Sequence, residues 1–242
     1  MVISKENKYL FIQLPMTGSK AIARELVANY KGQYILYTHA TYYDFLKIAN
    51  KEEKKYFVFS CLRNPMDKTV SHYEKIKNDH NSQFSRASKN KFSTILAFYF
   101  ARRYNYIKKN SANFNDFFLR FYKIPYDDFS ALYHNKMDFI IRFENLNNDF
   151  SALLARLSID QIRELPVFNK TKGKKAFIEY YDDSLKERAI WVFGPFMRKW
   201  GYLFPTNWHD IRIPIFSWIF YYVFRIPRLI YWLIFMPSNI VK

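Results

Sequence analysis

The chain has 242 residues, 50% hydrophobic and 21% aromatic, enough to bury one sizeable core and too apolar for a disordered chain. Its 38 Lys and Arg against 21 Asp and Glu leave a formal charge of +17, which favours an anionic partner: nucleotide, acidic glycan, phospholipid or nucleic acid. Cys61 is the only cysteine, so an internal disulfide and a thiolate zinc cluster are excluded and a reducing compartment fits.

At the N-terminus, "MVISKENKYLFIQL" has an apolar run too short for a secretory signal. Tyr9–Leu14 predicts a strand, Pro15–Lys20 ("PMTGSK") a turn, and Lys20–Tyr30 a helix. Tyr34–Tyr37 predicts a second strand and Thr41–Ala49 a helix, with Thr41 and Asp44 spaced as a capping box. Tyr56–Cys61 ("YFVFSC") is continuously apolar, as a strand covered on both faces should be. The helix in "RNPMDKTVSHYEKIK" is well marked: Asn64 can cap it, Pro65 suits its first position, and Asp67 favours the positive helix end. This alternation predicts an α/β fold, a parallel sheet flanked by helices.

The stretch from Asn78 to Asn135 is polar at first, then helix-like and aromatic. Phe139–Phe143 ("FIIRF") predicts a buried strand and Asn147–Leu157 a helix. A basic loop, Asn169–Lys175 ("NKTKGKK"), leads to a last helix over Asp183–Phe193. From Ile211 the character changes, which divides the chain into a domain over 1–210 and an apolar, aromatic, basic tail over 211–242. Ile213–Phe235 has the length of a membrane span, but Arg225, Pro227 and Arg228 interrupt it, and charge is costly in hydrocarbon. An interfacial or re-entrant anchor fits the tail better; the plainer alternative is an arm packed on the protein or on a second subunit. The expected location is the cytoplasm, with the C-terminus peripheral to the inner face of a membrane.

In an open parallel sheet, ligands bind beyond the carboxyl ends of the strands, and three chemically useful groups fall there. In the Pro15–Lys20 loop, Gly18 lets backbone approach an anion, and Thr17, Ser19 and the first helical N–H groups are donors. The true P-loop spacing is absent: Gln13 stands where its first Gly belongs, and Lys20 follows Ser19 rather than Gly18. Taken alone, the loop equally fits a plain strand–helix turn. The second group is Arg63, at the end of the third strand, with Ser71 two helical turns above Asn64 on the same helix face. An Arg fork, a helix N-terminus and a hydroxyl suit a dianionic phosphate, whereas the bland reading has Arg63 pairing with an acid. The third is His39, a general-base candidate after the second strand, although a lone His is more often structural. His72, His80, His134 and His209 have no comparable placement, and no spacing among them suggests a metal site.

Together, "FIQLPMTGSKAI" and "FVFSCLRNPMDKTVSHY" resemble the two nucleotide-binding signatures of sulfotransferases that use 3′-phosphoadenosine-5′-phosphosulfate (PAPS), most closely the carbohydrate-type branch. "FIIRFENLNNDF", "LPVFNKTKGKKAFIEYY" and "FGPFMRKWGYLFP" look like later parts of that domain, so the resemblance runs from Lys8 to Pro205. It implies a P-loop-like sulfotransferase fold and transfer of a sulfuryl group from PAPS to a hydroxyl of a glycan or glycolipid, with no metal and no nucleic-acid partner. Arg63 and Ser71 would hold the 3′-phosphate. Pro15, Met16, Thr17, Gly18, Ser19 and Lys20 would form the loop around the 5′-phosphosulfate, with Lys172 and Gly173 in a segment closing over the nucleotide. His39 would be the base that deprotonates the acceptor.

Met16 departs from this pattern, because the family usually has Lys or Arg there. Lys20, in the first helical turn with its side chain directed back over the loop, is the expected replacement cation. The alternatives are a catalytically impaired nucleotide- or glycan-binding relative, a phosphoryl-transfer enzyme, and a non-enzymatic nucleic-acid or membrane binder. The second lacks P-loop spacing and a Mg²⁺-holding carboxylate motif, and the third lacks a nucleic-acid motif.

Overall fold

The computed structural model describes residues 1–89, 95–128, 137–166, 171, 173–228 and 230. In chain order its first elements are β1 (Val2–Ser4), β2 (Tyr9–Ile12), α1 (Ser19–Asn29), β3 (Gln33–Tyr34), α2 (Tyr42–Ile48), β4 (Phe57–Leu62) and α3 (Pro65–Lys77). There follow α4 (Gln83–Lys89), α5 (Ile95–Asn110), α6 (Phe114–Phe121), β5 (Phe139–Arg142), α7 (Leu146–Arg156), α8 (Lys186–Trp200) and α9 (Ile215–Val223). The described residues fall into two compact units, one within Met1–Arg63, Asp127–Asn169 and Val223–Lys242, the other within Asn64–Tyr126 and Lys170–Tyr222.

The first unit is built on a five-stranded sheet in the order β3-β1-β2-β4-β5. The expected parallel arrangement holds for β2, β4 and β5, while β1 is antiparallel to both its neighbours, so the sheet is mixed. Sequence reading missed β1 because its three residues run straight into the polar turn of a hairpin. The strand predicted at Tyr34–Tyr37 is shorter and earlier, since Leu36 takes a left-handed backbone (φ 53°) that ends the ladder. Side chains alternate across the sheet as strand geometry requires. Val2, Phe11, Phe59 and Ile141 face Ile22 and Leu26 of α1 and Phe150 and Leu153 of α7. Ile3, Leu10, Ile12 and Val58 face Phe45 of α2 on the other side. The Thr41–Asp44 capping box forms as expected.

The second unit is helical, with an aromatic core. Phe114 meets Tyr181 edge-on at 4.9 Å, and Phe118 stacks on Phe193 at 5.6 Å. Asn64 caps α3 by accepting from the Met66 N–H, with Pro65 in the first turn, as its sequence predicts. The last predicted helix runs further than Phe193, through Pro195 to Trp200. Proline has no N–H to give the carbonyl four residues earlier, and its ring pushes the helix open there. The freed Trp191 carbonyl accepts from the Ser217 hydroxyl at 2.6 Å, and the next carbonyl, Val192, accepts from the Tyr126 N–H at 2.7 Å.

His72 of α3 stacks on Tyr99 and meets the edges of Phe100 and Phe117. Burial pushes its imidazole down to about 3, with Arg103, Lys68 and Lys75 adding repulsion. Between that value and the ordinary 6.5 the unfolded chain binds a proton that the folded chain refuses. The stability His72 contributes is therefore complete above its unfolded value and is lost as pH falls through this window. His72→Phe should lose less of its melting temperature than the wild type between about pH 7 and about pH 4, measured by thermal denaturation monitored by circular dichroism.

Candidate functional site

The site candidates of the first unit gather on the chain as it leaves β2. Three carbonyls there hold four residues singled out by the sequence. The Gln13 carbonyl lies 3.0 Å from His39 Nδ1. The Leu14 carbonyl accepts from Thr17 Oγ1 at 2.9 Å and from Ser19 Oγ at 2.6 Å. The Met16 carbonyl accepts from Arg63 Nη1 at 3.0 Å. Arg63 directly follows β4, the parallel neighbour of β2, so the exits of the two strands meet through this bond.

Local conformation explains the loop. Thr17 is fully buried, and both hydroxyls fold back on Leu14, closing a tight turn. Met16 adopts φ 64° and Gly18 φ 76°. At Gly18 a side chain would be strained in that left-handed region and would also meet Phe143 Cδ2 at 3.2 Å. Gly18 is the N-cap of α1 and provides no side-chain cap, and the first turn of α1 holds no acid. The open helix start therefore presents backbone N–H groups and partial positive charge without competition from a carboxylate. Because the Thr17 and Ser19 hydroxyl protons are committed to Leu14, anion donors in this loop are backbone N–H groups rather than these hydroxyls. Lys20 is solvent-exposed in the first turn of α1 and has no ion-pair partner among the described residues.

Two residues not anticipated complete this cluster. The Arg63 guanidinium lies 4.0 Å from the centre of the Phe143 ring, and Arg63 is buried despite its charge. Phe143 follows β5, the next parallel strand, and its turn is fixed by Asp149, which accepts from the Arg142 N–H and the Asn145 amide. The second is Leu146, which closes on Gly18. The usable signal was positional: "FIIRF" ends at the same edge of the sheet as the two signatures.

His39 sits in a loop beyond β3 rather than directly at a strand end, with a left-handed backbone at φ 71°. Asp44 braces the loop, accepting from the Thr41 N–H, the Thr41 hydroxyl and the Tyr37 hydroxyl. A carbonyl only accepts, so in this contact His39 Nδ1 donates to Gln13. Cys61, buried on β4, is not a nucleophile, since burial pushes its thiol well above the usual range.

Ser71 belongs to the second unit and is buried on α3, on the same helix face as Asp67 and Glu74. Part of the basic loop lies along that face: Lys174 pairs with Asp67, and the Tyr180 hydroxyl donates to Glu74 at 3.1 Å while accepting from the Lys175 N–H. Gly173 is described, with φ 73°, whereas Lys172 lies outside the described residues. A cavity of about 370 Å³ beside this loop is lined by Glu74 and Glu179 as well as Lys77, Gly173 and Lys175, so both signs of charge face it.

A model of the sulfotransferase family matches residues 1–192 of the chain. No curated protein and no solved structure gives a significant match.

Proposed function

This chain belongs to the sulfotransferase family, and we propose that it moves a sulfuryl group from PAPS to a hydroxyl of a glycan or glycolipid. The observation that carries the reading is the exit of β2, where the Gln13, Leu14 and Met16 carbonyls hold His39, the Thr17–Ser19 turn and Arg63 at one sheet edge. The residues present fit an anionic nucleotide: a buried guanidinium, an uncapped helix start free of acids, and an exposed lysine on its first turn. PAPS supplies the activated sulfuryl group. Arg63 binds phosphate, Ser71 keeps the role its signature implies, and Gly18, Ser19 and Lys20 offer backbone N–H groups to the phosphosulfate. His39 Nε2 takes the acceptor's proton as that oxygen bonds to sulfur. Lys20 meets the charge that grows on the phosphate oxygen whose bond to sulfur breaks.

The base assignment has its own test. His39→Ala should lower turnover by on the order of 10²–10⁴-fold and remove the rising limb of its pH dependence, leaving nucleotide affinity intact. Unchanged turnover would take the base role from His39.

Met16 supports a second reading, an impaired relative that binds nucleotide or glycan without transfer. An assay with sulfur-labelled PAPS and a panel of glycans and glycolipids separates the two. Label appearing in an acceptor supports the enzyme, whereas binding of 3′-phosphoadenosine-5′-phosphate (PAP) with no label transferred supports the impaired relative.

A further inference from the structure

Helix α9 buries one narrow face and leaves the rest outward. Ser217 and Tyr221, one turn apart, are fully buried: Ser217 bonds to the Trp191 carbonyl, and Lys199 lies over the Tyr221 ring at 5.9 Å. Ile215, Phe216, Ile219, Phe220, Tyr222 and Val223 are all 40–67% exposed. At 100° per residue they form one continuous apolar arc. A surface this apolar on a helix that is already seated is unusual for a protein facing water alone.

The flanking charges indicate what covers it. Arg212 precedes the helix and is exposed, Arg225 follows it, and no acid occurs from Ile211 to Lys242. An apolar, aromatic arc flanked in sequence by Arg212 and Arg225 complements an anionic headgroup layer, with the rings at the acyl boundary and the guanidinium groups among phosphates. A second copy of the same face is a poorer match, because it would set arginine rims of like charge against each other. Helix α9 is short for a bilayer crossing. Its nine residues span about 14 Å of a hydrocarbon core about 30 Å thick, and no helix among the described residues is long and apolar enough to cross. We infer that the outward face of α9 docks the protein on the surface of an anionic bilayer.

Flotation of the full chain with vesicles tests this, using phosphatidylcholine alone and phosphatidylcholine containing phosphatidylserine. The expected result is partitioning roughly tenfold stronger onto the anionic vesicles. A Phe216→Asp/Ile219→Asp variant should lose it while its melting temperature stays that of the wild type, because both side chains already face outward. Arg212→Gln/Arg225→Gln should keep the fold and lose the preference for phosphatidylserine. The inference fails if the wild type does not float, floats equally on both vesicles, or floats as well with the aspartates. It also fails if those aspartates instead convert a dimer to a monomer in sedimentation.

Discussion

Arg63→Ala should weaken PAP binding by roughly 100-fold in titration calorimetry, about 3 kcal/mol for a charge-assisted contact to a phosphate. The loss combines two effects. The phosphate loses a guanidinium held in place by the Phe143 ring and the Met16 carbonyl. The loop loses the bond that ties it to β4, and the Met16 carbonyl is left without that donor. Arg63→Lys separates them, since it keeps the charge but neither the planar stack nor the fork, and should recover only part of the affinity. Wild-type PAP affinity in Arg63→Ala, with the fold intact by circular dichroism, would remove Arg63 from the nucleotide site.

Lys20→Ala is the second large effect, and it should fall on turnover rather than on binding. A cation preorganised where charge develops is worth on the order of 3 kcal/mol, or 10²–10³ in rate, when it is deleted. The resemblance puts the usual cation at Met16, and Lys20, exposed in the first turn of α1, is the proposed replacement. Restoring a lysine at the loop gives the sharper experiment. Met16→Lys in the Lys20→Ala background should recover much of the lost rate, because methionine and lysine are both unbranched at Cβ and tolerate φ 64° similarly. Unaltered turnover in Lys20→Ala, measured under saturating PAPS, would end the relocated-cation idea.

The parts of this architecture that announce themselves in the sequence are those with strong local chemistry. Asn64, Pro65 and Asp67 mark the start of α3 because capping and dipole effects act within one turn. "YFVFSC" reads as a doubly covered strand because both its faces are buried. Strand β1 was not legible, because three residues carry too little period to register, and with it went the mixed character of the sheet. Helix α8 runs past the expected end at Phe193 although Pro195 argues against a helix locally, because Ser217 satisfies the acceptor it frees. At the site, Arg63 and Gly18 stood out by motif, but Phe143 stood out only by topology. That Thr17 and Ser19 turn their hydroxyls inward depends on the path of the Leu14 carbonyl, which no spacing rule encodes.

The bond from Ser217 to the Trp191 carbonyl also sets a rotational register. A helix lying against a helix can in principle settle at several angles about its own axis, and an apolar helix such as α9 has little polarity with which to choose. One acceptor, left vacant by Pro195 in the neighbouring helix, admits one hydroxyl and so selects one angle. A slip of a single residue would turn α9 by 100° and bring different side chains to the outside. The orientation of α9 is thus indexed by a proline that lies outside it.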